Sequence, residues 1–126
     1  MTPVQLFDLA TRQAQWLSAR QAAIAGNIAN ANAPGYQTMD VVPFEASFEA
    51  QMQLARVRLQ ATHPDHVGVR AGAEAPGAPM PAVESTGKPV GMEQELAKSG
   101  AVRAGMQMNT AVVAAFHRMT LMVTKG

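Results

Sequence analysis

The chain has 126 residues, room for one domain and not for two. Ten basic and nine acidic side chains leave a net charge of +1. They are scattered, so no basic stripe tracks phosphates or an anionic membrane, and nucleic acid is not an expected partner. Cysteine is absent, which excludes disulfides, thiolate nucleophiles and cysteine-based zinc sites together.

Residues 1–8 carry neither a basic region nor a long apolar run, so no cleaved Sec-type signal is expected. A role outside the cytoplasm would then need another export route. From Thr2 to Asn32 the chain is rich in Ala, Gln and Leu, with no proline after Pro3. Thr2 is placed to cap a helix, Pro3 suits its first position, and Gln5 completes a Thr-x-x-Gln capping box. Phe7, Ala10, Ala14, Leu17, Gln21, Ile24, Ile28 and Ala31 follow at alternating spacings of three and four. All but Gln21 are apolar, which is a coiled-coil seam.

Residues 33–90 hold seven of the eight prolines and five of the ten glycines. Three asparagines in the run Ala25–Tyr36 favour a helix stop. Pro34 and Gly35 then suit the second and third positions of a turn. The middle has room for a short helix over Glu45–Leu59 and short strands near Val67–Arg70 and Pro81–Glu84. The small, Pro/Gly-rich run Ala71–Pro89 is expected to be a flexible loop in the free monomer.

A second long helix is expected from Gly91 or Met92 to Lys125. Glu93 and Glu95 suit the positive end of its dipole and Lys125 the negative end. Met92, Val102, Met106, Val113, Phe116 and Val123 lie along one seam, with Glu95, Ser99, Asn109 and Thr120 in the same row. The other faces are apolar too, through Ala101, Met108, Val112, Ala115, Met119, Leu121 and Met122. The uncharged stretch Ala104–Phe116 is too short to span a bilayer.

The expected architecture is therefore mainly α. Long N- and C-terminal helices pair as a coiled-coil-like hairpin around an irregular Pro/Gly-rich middle. Residues 1–33 and 91–126 make a discontinuous helical assembly domain, and residues 34–90 a central segment. A helix apolar around its circumference needs neighbours on several sides. One hairpin seam is a small core, so the remaining surface is expected to be buried by other subunits, with the terminal segments ordering on assembly. Met92, Met106, Met108, Met119 and Met122 suit contacts that differ from one neighbour to the next.

Little in the chain suggests catalysis. His63, Asp65 and His66 are the best candidate metal ligands, but Pro64 interrupts the helix that a zinc motif of two histidines on one face needs. A metal hydrolase built on His63 and His66 is accordingly not favoured. Neither GxxxxGK[ST] nor GxGxxG nor GxSxG occurs. Glu45/Glu49 is an ordinary exposed helical spacing and Glu93/Glu95 lies in a helix's first turn, with no aromatic cleft beside either pair. No catalytic residue, cofactor, metal or small-molecule substrate is expected.

The run Asn27-Ile28-Ala29-Asn30-Ala31-Asn32, followed by Pro34-Gly35-Tyr36, closely resembles the N-terminal signature of the flagellar axial proteins, the rod and hook family. Gly26, Ala33 and Gln37 depart from its commonest residues. Asp40–Glu45, Thr62–Val67 and Val90–Ala97 resemble segments of short proximal rod members, with Gly91 in place of a usual aspartate cap. The resemblance implies a structural subunit, exported unfolded through the flagellar type III apparatus, that assembles helically into the basal-body rod. It implies as partners copies of the chain, other rod proteins, a rod-base adaptor and the membrane ring protein. A second short rod protein and a stand-alone helical adaptor are the alternatives. The latter would be a folded monomer with protected helices.

Overall fold

The computed structural model describes residues 3–56 and 80–125. In chain order the elements are α1 (Pro3–Ala29), β1 (Met39–Val41), α2 (Phe44–Arg56), β2 (Val83–Ser85) and α3 (Met92–Lys125). The expected cap at Thr2, the strand at Val67–Arg70 and the His63–His66 cluster lie outside the described residues. So do the end of the expected middle helix and residues 71–79 of the Ala71–Pro89 run; the rest of that run is described and holds β2.

The elements fall into two compact units. The first holds α1, β1, β2 and α3. Residues 39–42 group with the terminal helices because side chains of α1 bond their backbone, and residues 82–89 follow because they pair with that first flank. Trp16 Nε1 donates to the carbonyl of Val42 at 2.7 Å, and its ring carries the Arg20 guanidinium 5.3 Å from the centroid. The second unit holds α2, which begins where the Pro43 carbonyl accepts the Ser47 N–H at 3.0 Å. Phe44 and Phe48, one turn apart, stack with centroids 6.0 Å apart.

The terminal helices form an antiparallel hairpin. Phe7 meets Phe116 edge to face at 5.8 Å, Asn109 Nδ2 donates to the Ala10 carbonyl at 3.0 Å, and Gln21 Nε2 donates to Ser99 Oγ at 3.4 Å. Partners thus descend along α3 as they ascend along α1. Leu17, Ile24 and Val102 are buried at its centre, with Trp16, Ile28 and Met106 packed around them. Each such side chain contributes about 1.5–3 kcal/mol by leaving water. The helices approach closely at Gly105, where an added Cβ would stand 3.1 Å from Leu17 Cδ2.

Beside the helices, β1 and β2 pair antiparallel, Met39 with Ser85, Asp40 with Glu84 and Val41 with Val83. The ladder continues past the strands. Thr38 N–H donates to the Lys88 carbonyl at 2.8 Å, and Val42 N–H to the Ala82 carbonyl at 3.0 Å. β2 was legible near Pro81–Glu84. β1 was not, because it has three residues and its burial rises only toward Val41, too short for alternation to register.

Candidate functional site

The asparagine-rich run lies at the C-terminal end of α1, and its residues play different parts. Ala29 is the last helical residue. Asn30 caps the helix, its Nδ2 donating to the Gly26 carbonyl at 2.8 Å. Tyr36 N–H closes on the Ala33 carbonyl at 3.3 Å, with Pro34 and Gly35 between and Gly35 at φ 73°. That is a type II turn, where the third position takes glycine because a Cβ is strained at positive φ. Ile28 and Ala31 are half-buried and Asn32 is exposed.

Asn27 is different. It is fully buried and every hydrogen-bonding capacity of its amide is used. Its Nδ2 donates to the Met39 carbonyl at 2.7 Å and to Glu95 Oε2 at 2.9 Å. Its Oδ1 accepts from the Met39 N–H at 2.9 Å and from the Tyr36 hydroxyl at 3.2 Å. One side chain of α1 therefore holds β1, the turn and α3 together, and two residues of the run, Asn27 and Tyr36, bond each other directly.

Glu95 extends this hub into a chain of alternating charge. Only 1% of it is exposed. Lys98 Nζ lies 2.9 Å from its Oε1 and 3.2 Å from Asp40 Oδ2. Arg20 Nε lies 3.2 Å from Asp40 Oδ1. Burial alone would push the Asp40 carboxyl up. The Val41 N–H, the bonds from Arg20 and Lys98 and the charge of Arg20 more than offset this and hold it below its usual value of 3.8. Burial likewise favours neutral Lys98, but its bonds to Glu95 and Asp40, and their charges, raise it above 10.5. A carboxylate this buried is tolerable only because both oxygens are bonded and its charge is matched.

Glu95 stands in the first turn of α3 and, in the row of Val102 and Met106, also lies in the seam, bonded to Asn27 and Lys98. The signal was present, since Glu95 shares the row of Val102 and Met106, and a charge in an apolar seam requires a partner. Asp40, Lys98 and Arg20 carried no such signal, because three segments distant in sequence bring them together.

The remaining seam residues divide by position. Ala10, Leu17, Ile24 and Val102 are buried, while Phe7, Met106, Val113 and Phe116 are half-buried. Ala14 is exposed, at the edge of the stripe about 60° round the helix from Leu17. Val123 is 82% exposed. With Phe116 set against Phe7, the last two turns of α3 pass the first residues of α1, and Val123 has no α1 residue to meet.

Outside the seam, α3 keeps a continuous apolar face. Ala97, Ala101, Ala104, Met108, Val112, Ala115, Met119 and Met122 share one side of the helix, about 125° from the seam, and all are exposed. No polar residue interrupts this stripe over more than six turns, yet no helix among the described residues is long and apolar enough to cross a membrane. Arg103, Gln107, Thr110, His117, Arg118 and Lys125 occupy the remaining side. Among the described residues no group of three His, Cys, Asp or Glu side chains could hold a metal ion.

A helix hairpin internally tied by polar contacts, with a long apolar face left outward, has the form of a subunit made for assembly. Comparison with known proteins identifies which assembly. The sequence model described as "Flagella basal body rod protein" matches residues 10–37, from the seam of α1 through the turn. The chain is also 40% identical, over 131 aligned positions, to the flagellar basal body rod protein FlgB of Agrobacterium fabrum, covering 99% of this chain and 96% of that relative. The chain belongs to the flagellar basal body rod protein family and is a structural subunit of the flagellar basal body. The relative bears the name of the proximal rod protein that Asp40–Glu45 and Thr62–Val67 resemble.

Proposed function

We propose that this chain is a proximal subunit of the rod, assembling helically with copies of itself and with other rod proteins. In this reading the assembled subunits line the export channel and transmit torque across the periplasm. The subunit leaves the cell through the flagellar type III export apparatus. A rod-base adaptor and the membrane ring protein are its neighbours at the base, and it carries out no catalysis.

The observation that supports this reading is the Ala97–Met122 face of α3. Leaving that stripe in water forfeits about 25 cal/mol for each Å² of apolar surface, and a continuous patch of this kind marks an interaction surface. Its alanines let a second helix approach closely, and its methionines adapt to neighbours that are not identical. The runner-up, a stand-alone helical adaptor, would leave the same face open in the free monomer.

The test replaces Met108 and Met119 together by aspartate. Both side chains point away from α1, so the hairpin should form with wild-type helicity. The variant should be synthesised and exported, yet fail to enter purified basal bodies or to restore swimming to a strain lacking the gene. Normal swimming would sink the proposal. A density map of an intact basal body, in which this sequence either fits a proximal position or does not, separates the proximal assignment from the other short rod protein.

A further inference from the structure

We infer that the buried Asn27–Glu95 pair is a register pin, selecting which of several near-equivalent axial alignments α1 and α3 adopt. The inference rests on the hairpin geometry alone and stands apart from the rod reading.

The heptad spacing of the seam leaves the alignment open, and among its apolar contacts the close approach of Gly105 to Leu17 favours one alignment without excluding the others. On α1, Ala10, Leu17 and Ile24 recur every seven residues. On α3, the facing positions also recur every seven: Glu95, Val102, Asn109 and Phe116 in one row, Ser99, Met106 and Val113 in the next. Sliding one helix by a heptad, about 10 Å, sets seam position against seam position again. Heptad repeats leave this degeneracy, and a polar group buried in the seam is the usual way to remove it, at a cost in stability.

Asn27 and Glu95 meet that description. They are 0% and 1% exposed, whereas the other polar contacts of the seam, Gln21–Ser99 and Asn109–Ala10, are only part-buried. A heptad shift would bring Val102, or the chain before α3, against Asn27. The Asn27 amide would then lose its bond to Glu95, and the Glu95 carboxylate would lose its Asn27 donor while still requiring burial or a new partner. Either outcome is costly. The pin also acts beyond the helices. Because Asn27 bonds both backbone groups of Met39 and the Tyr36 hydroxyl, the same residue that sets the register sets where the strand pair sits. A slip would therefore displace the outward face of α3 along α1 by two turns.

The absence of native cysteine makes the alignment directly measurable. Gln21→Cys with Ser99→Cys places two thiols at side chains that meet in the structure. Gln21→Cys with Met106→Cys, or with Met92→Cys, places them one heptad out of register in either direction. Each pair is made in the full chain and treated with a short bifunctional thiol reagent. This is done once in the parent and once with Asn27→Leu and Glu95→Leu, which keep the seam apolar. The parent should crosslink through the 21–99 pair and stay at background for both shifted pairs. In the leucine variant helicity should persist, and one shifted pair should rise from background to a yield comparable with that of 21–99. Exclusive 21–99 crosslinking in the leucine variant would overturn the inference. So would shifted crosslinks already present in the parent. Loss of helicity in the leucine variant would overturn it as well, because the pair would then be holding the fold rather than choosing among alignments. Asn27→Leu with Glu95→Met, a second apolar pairing of different shape, guards against a packing fault of one variant and must behave alike.

Discussion

Changing Asn27 to aspartate alters almost no volume and reverses the chemistry of the hub. The new carboxylate oxygen takes the place of Nδ2, facing the Met39 carbonyl at 2.7 Å and Glu95 Oε2 at 2.9 Å, both acceptors. Two donated bonds are lost and two like charges come into contact. At an effective dielectric constant near 20, unit charges at that separation repel by about 6 kcal/mol. One carboxyl will therefore hold a proton at neutral pH instead. Counting that protonation with the orphaned Met39 carbonyl, the expected loss is about 3–5 kcal/mol. Glu95→Gln alone keeps an acceptor for Asn27 and leaves Lys98 paired with Asp40, so it should cost only about 1–2 kcal/mol. Combined with Asn27→Asp, however, it restores a donor opposite the new carboxylate. The double variant should then recover about 2 kcal/mol relative to the sum of the singles. Urea unfolding followed by fluorescence of Trp16, the single tryptophan, reads the cycle, because its indole bonds the Val42 carbonyl within the same unit. An Asn27→Asp variant within about 0.5 kcal/mol of wild type, or strict additivity in the cycle, would refute the assignment of Asn27 as the hub.

Gly105→Ala places a methyl 3.1 Å from Leu17 Cδ2; Leu17 must shift, and the midpoint of urea unfolding should fall by the equivalent of about 1–2 kcal/mol. Ile28→Asp puts a charge at the end of the buried cluster that Ile28 packs against and should block swimming without abolishing synthesis, read by soft-agar spreading alongside an immunoblot. The pH profile follows from the ion chain. Asp40 is lowered from 3.8, so its contribution is present above that pH and lost as the pH falls through its folded value; Asp40→Asn should flatten the acid limb of a stability–pH curve. Lys98 is raised from 10.5, so its contribution is complete below that pH and disappears above its folded value; Lys98→Gln should flatten the alkaline limb. Hydrogen exchange on dilute monomer should divide the terminal helices rather than treat them alike. Protection should concentrate at Ile24–Asn27 and Glu95–Val102 and weaken toward Asn109 and Phe116, which meet Ala10 and Phe7, while Arg118–Lys125 exchanges freely and gains protection only on assembly. Strong protection throughout both helices would count against an assembly-dependent open end.

The sequence by itself determined the helices, their seam and the turn. Each rests on chemistry within a few residues: a spacing of three and four, Pro3 at a helix start, Asn30 at a helix end, and Pro34-Gly35 in a turn that needs positive φ. It also determined that α3 has more apolar surface than α1 can cover, since that follows from counting faces around one helix. The family was legible for the same reason, in a continuous run of side chains. Tertiary structure alone decided what Asn27 does. Its partners lie 12 and 68 positions away, and no local pattern distinguishes it from Asn30, which merely caps the helix. Asp40, Lys98 and Arg20 become an ion chain only when a strand and two helices meet. Antiparallel register likewise decided that Val123, in phase with the seam, passes beyond the first residues of α1 and remains exposed. Periodicity tells which side of a helix is apolar. How far along a partner lies depends on contacts between segments distant in sequence, and here those contacts are polar.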